Sequence, residues 1–94
     1  MASVRRHLDG IAETAAETLD ERSGSAVEDH EYREALEAMR EIGDESAVDR
    51  LAEDIERSIR QSETLPQEQS VRSLGRDICD EKGYEIPADS WFAR

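Results

Sequence analysis

Apolar side chains recur at helical spacing along most of this chain. Val4, Leu8, Ile11, Ala15 and Leu19 follow one another in steps of three and four, and Ala12 and Ala16 widen the stripe. A period near 3.6 puts such residues on one face of a helix. The spacing predicts a helix near 4–22, capped by Ser3 and ended by Ser23-Gly24-Ser25. Its small alanines predict a seam that another helix can approach closely. Gly10 weakens this helix by about 1 kcal/mol relative to alanine.

A second helix is expected near 26–42. Ser25-Ala26-Val27-Glu28 reads as a capping box, and Val27, Tyr32, Ala35, Leu36, Met39 and Ile42 form the apolar face. Gly43 is placed to end it in the left-handed conformation. A third helix, near 46–61, starts at Asp44 or Ser46 and carries Val48, Leu51, Ala52, Ile55 and Ile59. Glu53→Arg57 and Glu56→Arg60 are i,i+4 pairs in the favourable order. The short Gly43-Asp44 joint predicts a helical hairpin. A fourth helix, near 66–82, has Pro66 at its first position, Val71, Leu74, Ile78 and Cys79 in its stripe, and Lys82 in its last turn. Gly75 inside it suggests a close approach, and Gly83 closes it.

The pattern changes after Gly83. Tyr84-Glu85-Ile86-Pro87 reads as extended, residues 88–94 have the makings of one turn, and three of the four aromatics lie between 84 and 92. Strand signals are otherwise absent. The expected fold is therefore all-α: one domain over 1–94, a three- to four-helix bundle with a C-terminal aromatic extended strap at 84–94. The strap folds back and supplies bulk that an alanine-rich core lacks.

Composition changes the picture in one respect. Asp and Glu number 24 against 12 Lys and Arg, a net charge of -12, and of the basic residues only Lys82 is a lysine. The charge is spread evenly, with -5 over residues 1–31, -4 over 32–62 and -3 over 63–94. Charged tails and interaction blocks show runs of like charge instead. A solvated acidic surface poor in lysine suits a salt-rich environment, where the Debye length at molar salt is about 3 Å. In this composition the whole chain resembles the small acidic proteins of halophilic archaea. That resemblance is to a proteome type, names no functional family and implies no activity. An acidic patch for a basic partner and mimicry of nucleic acid are the competing readings. Direct nucleic-acid binding is disfavoured, since it requires a Lys/Arg stripe.

Residues 1–20 lack the apolar stretch of a secretory signal, and no apolar run nears the ~18 residues of a membrane span. A cytoplasmic protein with no membrane attachment is expected. Lone Cys79 sits in an apolar stripe and reads as a buried thiol. Carboxylates are so common here that Asp29, His30 and Glu34 cluster on a helix by chance, and neither a His-Glu-x-x-His nor a di-iron Glu-x-x-His pattern occurs. No metal, cofactor or catalytic residue is assigned. A nucleophile elbow, a phosphate loop and a dinucleotide fingerprint are likewise missing. Ser73 to Gly83 looks like the first helix and turn of a helix-turn-helix, but the following segment holds Pro87, Glu85 and Asp89.

What remains is interaction. Tyr84, Ile86, Trp91 and Phe92 are the candidate partner-binding residues, either as a core plug or as an exposed anchor. The plug is favoured, because exposed apolar surface in high salt drives self-association. The expectation is a non-enzymatic protein that binds an unidentified protein partner or a second copy of itself in a high-salt cytoplasm. The alternative is a small DNA-associated regulator or an antitoxin-like partner of a basic protein.

Overall fold

The computed structural model describes residues 4–29 and 32–94. Five α-helices run in order: α1 Val4–Thr18, α2 Glu21–Asp29, α3 Tyr32–Ile42, α4 Glu45–Ser62 and α5 Glu68–Lys82. A 3-10 turn, Trp91–Ala93, follows. The described residues contain no strand. The all-α class is as expected, but the α-helices among the described residues number five.

The extra helix comes from the segment read as a break. Ser23-Gly24-Ser25 lies inside α2, and α1 stops at Thr18. The Asp20 side chain accepts the Ser23 N–H at 2.8 Å and so starts α2 five residues earlier than the expected capping box. Ser25 is consequently mid-helix. Gly24 is there for space: a Cβ on it would fall 2.9 Å from the Ala12 carbonyl oxygen and 3.0 Å from the Ala16 Cβ. The alanine seam of α1 is thus filled by α2 of the same chain. Ser3, the expected first cap, lies outside the described residues.

Helix α4 is the centre of the packing and touches α1, α3 and α5. Its Leu51, Ile55 and Ile59 are fully buried. Each buried aliphatic of this size contributes about 1.5–3 kcal/mol. Around it lie Leu8, Ile11 and Ala15 of α1, Leu36 and Met39 of α3, and Val71 and Ile78 of α5. Tyr32 begins α3 with its ring in the core, and its hydroxyl donates to the Pro66 carbonyl at 2.6 Å. That bond ties the α4–α5 loop to α3. Pro66 itself is buried and lies before the helix, whose N-cap is Gln67, rather than at its first position.

The joints follow local chemistry. Asp44 caps α4, its carboxylate accepting the Ala47 N–H at 3.0 Å. Gly43 does not take the left-handed conformation expected of it. Its N–H continues the helical ladder to Met39 O, and its missing side chain makes room for Tyr84. The left-handed residue after α4 is Glu63, at φ 56°, whose N–H bonds Ile59 O. Gly83, at φ 77°, ends α5 with two bonds, Gly83 N–H to Asp80 O and Tyr84 N–H to Cys79 O. This is the Schellman arrangement, and it turns the chain back toward α3. On the surface of α4, Arg60 reaches Glu56 at 3.9 Å, whereas Arg57 pairs with Asp54 rather than Glu53.

Candidate functional site

The residues expected to meet a partner lie in the segment after Gly83, and the structure distributes them over three places. Tyr84 is half-buried beside Gly43, at the joint of α3 and α4. Its hydroxyl interacts electrostatically with the Asp44 carboxylate. The Ala47 N–H, chiefly, holds the Asp44 carboxyl below its ordinary range; desolvation opposes it, and Tyr84 and Lys82 add smaller lowering effects. Desolvation and the same carboxylate raise the Tyr84 phenol above its ordinary value. Ile86 packs at the edge of the core and is partly exposed. Trp91 and Phe92 are buried, with 5% and 0% of their surface exposed. They are therefore not available as an anchor while the segment stays docked.

Two arginines of α5 hold them. Arg72 stacks over the Trp91 ring, 4.5 Å from its centroid, and its Nε donates to Trp91 O at 3.0 Å. Glu68, one turn earlier, accepts from the same guanidinium. Arg76 Nε donates to Phe92 O at 2.8 Å, and its Nη2 to Arg94 O at 3.2 Å. The two rings meet edge to face, 5.1 Å apart. Ser90 caps the short turn by accepting the Phe92 N–H at 3.3 Å.

This docking creates a groove. Between α3 and the last residues lies an open concavity of about 310 Å³. Glu34, Glu37 and Glu41 line it from α3, and Asp89 and Arg94 line it from the C-terminal segment. Ala38, Ile42 and Trp91 give it an apolar floor. Sequence reasoning picked out Trp91 but missed the glutamates. Their i, i+3, i+7 spacing was visible, but their neighbour across the groove was not.

A second concavity, of about 350 Å³, lies between α1 and α4 and is lined by His7, Glu45 and Asp49 among others. One ligand atom from each of these three lies within 4.8 Å of the others. The expected cluster of Asp29, His30 and Glu34 falls partly outside the described residues. Cys79 is buried, with its Sγ 4.0 Å from Met39 Sδ, and burial raises its thiol above its ordinary pKa. That disfavours the thiolate. Beyond the Ser73–Gly83 helix and turn the chain forms no second α-helix, so the recognition element of a helix-turn-helix does not form. No described helix is long and apolar enough to cross a membrane.

Compared with protein-family models, with curated proteins and with solved structures, the chain matches none.

Proposed function

We propose that this is a non-enzymatic interaction domain, and that its partner presents a basic segment to the groove between α3 and the C-terminal strap. The observation that carries the reading is the four carboxylates of Glu34, Glu37, Glu41 and Asp89, outnumbering the single cation Arg94, in a groove whose apolar lining includes Trp91. A lysine or arginine side chain suits such a site, its aliphatic stem lying on the floor and its charged head among the carboxylates. In this reading Trp91 and Phe92 build the floor and the strap rather than reaching outward, and Tyr84 and Ile86 extend the contact along its edge. The setting is a salt-rich cytoplasm, to which the acidic surface is suited. An antitoxin-like role toward a basic protein is the form of the alternative that the same charge supports. A DNA-associated regulator is less well supported, because no α-helix follows Gly83.

The test is capture by the tagged full chain at 0.15 M and 2 M KCl, beside a Glu37→Arg/Glu41→Arg variant with unchanged helical circular dichroism. A stoichiometric basic protein retained by the parent and lost by the variant is the expected result. Recovery of nothing, or of the same protein by both, would sink the groove as the interface. Light scattering on the same samples separates a second copy of the chain from a foreign partner.

A further inference from the structure

His7 lies on the second turn of α1, against the first turns of α4. Its Nε2 is shut off from solvent and has no hydrogen-bond partner. Asp49 Oδ1 is 3.2 Å away, but out of line for a hydrogen bond. An imidazole nitrogen buried without a bond is costly, and in folded proteins it calls for an explanation. Glu45 and Asp49 stand one turn apart on α4, on the face that meets α1. All three donor atoms fall within 4.8 Å of one another. Both carboxylates are exposed, whereas the imidazole is mostly buried, and Arg6 lines the same concavity.

We propose that His7, Glu45 and Asp49 bind a divalent transition-metal ion of the zinc class, which clamps α1 to the start of α4. One nitrogen and two carboxylate oxygens at bond lengths of about 2.0–2.2 Å form a three-ligand set that water completes. The nitrogen sets the selectivity. Magnesium and calcium take oxygen ligands and gain little from an imidazole, whereas zinc, cobalt and nickel do. This separates the site from the general cation attraction of a surface at -12. The ion also supplies the buried Nε2 with its missing partner. The site shares no residue with the groove between α3 and the C-terminal segment, and the proposal does not depend on that groove's reading.

The experiment is calorimetric titration of the full chain with Zn²⁺ in excess Mg²⁺, which occupies the loose acidic sites. Proton NMR of the two imidazoles is followed alongside. The expected result is one saturable equivalent of Zn²⁺, with the His7 ring signals shifted and those of His30 unmoved. His7→Gln should weaken binding about tenfold or more, and His30→Gln should leave it unchanged. The exposed substitutions Glu45→Gln and Asp49→Asn should each weaken it too, and they decide the matter if His7→Gln alters the helical signal. Zinc binding no tighter than magnesium binding, an equal loss in His30→Gln, or full binding by the carboxylate variants would overturn the site.

Discussion

The ring of Phe92 occupies the space that a side chain on Gly75 would fill: a Cβ there would lie 2.2 Å from Phe92 Cε1. Gly75 thus seats the C-terminal segment, and the helix it interrupts gives up about 1 kcal/mol of propensity for that seat. Two effects oppose each other in Gly75→Ala. The helix gains that propensity, but the methyl displaces a fully buried ring, and overpacking of this kind costs typically 1–3 kcal/mol. The clash is expected to win, so Gly75→Ala should destabilise the fold. Phe92→Ala should cost about 3–5 kcal/mol, as for other fully buried phenylalanines. In the Phe92→Ala background the sign should reverse, with Gly75→Ala stabilising by up to about 1 kcal/mol. Urea denaturation of the four proteins measures the cycle. Additive effects would mean that the ring does not rest on Gly75.

Gly24 and Gly10 form a second contrast. A Cβ on Gly24 meets a backbone carbonyl at 2.9 Å, and backbone cannot swing aside. Gly24→Ala should therefore push α2 off α1 and cost about 1–3 kcal/mol. At Gly10 the nearest atom is Glu56 Oε2 at 3.9 Å, the end of a flexible side chain. Gly10→Ala should stabilise by about 0.5–1 kcal/mol, worth several degrees in melting temperature for a domain of this size. Thermal melts of the two variants should move in opposite directions.

These glycines mark how far the sequence could be read. The apolar stripes of α3, α4 and α5 were legible because each is set by local period, and the buried residues follow them closely. The joints were not. Ser23-Gly24-Ser25 has the composition of a break, yet Gly24 sits in a helix because Ala12 and Ala16 lie opposite it. Gly43 has the position of a left-handed cap, yet Tyr84, forty-one residues on, explains it, and the left-handed conformation falls to Glu63. A glycine's local preference and its tertiary use look alike in sequence, and only the partner across the gap tells them apart. The same holds for the acidic groove. Glu34, Glu37 and Glu41 were three carboxylates among 24 until Asp89 and Trp91 were brought beside them.

Glu63 offers a simple gain. A non-glycine residue at φ 56° bears a steric cost of roughly 1–2 kcal/mol. Glycine removes it but loses more freedom on folding, so the net gain for Glu63→Gly should be about 0.5–1 kcal/mol. The residue is exposed and its backbone N–H bond to Ile59 O is kept. A rise in the denaturation midpoint with unchanged slope is the expected readout, and no rise would mean the αL turn is not populated.

The Asp44–Tyr84 pair predicts opposite limbs of a pH profile. The folded Asp44 pKa is depressed, so its contribution is present above the unfolded value near 3.8 and is lost as pH falls through the folded value. The folded Tyr84 pKa is raised, so its contribution is full below the ordinary value of 10.0 and is lost as pH climbs through the folded one. Asp44→Ala should flatten part of the acid limb. It should also bring the Tyr84 phenol, followed by ultraviolet absorbance, back toward its ordinary value. Tyr84→Phe should flatten part of the alkaline limb and leave most of the Asp44 effect, because Ala47 N–H is the larger cause. An Asp44 limb abolished by Tyr84→Phe would contradict that order.

Salt is the broadest test of the charge. The Arg50–Glu81 ion pair, at 2.9 Å, is exposed on both sides, and a pair of that kind contributes little singly. Against such pairs stands the mutual repulsion of a net -12 on a body whose Cα atoms have a radius of gyration of 12.4 Å. At 0.1 M salt the Debye length, about 10 Å, is comparable to that radius, so the charges repel across the molecule. At 1 M it is about 3 Å, and the repulsion is confined to near neighbours while the buried core is untouched. Screening therefore removes more repulsion than attraction, and both helical circular dichroism and melting temperature should rise between about 0.1 M and 2 M KCl. The Arg50→Ala variant should show nearly the same rise, because the effect belongs to the net charge and not to one pair. Equal stability at both salt concentrations would instead mean that the carboxylates are spaced widely enough to need no screening, and the acidity would then have to be explained by a partner.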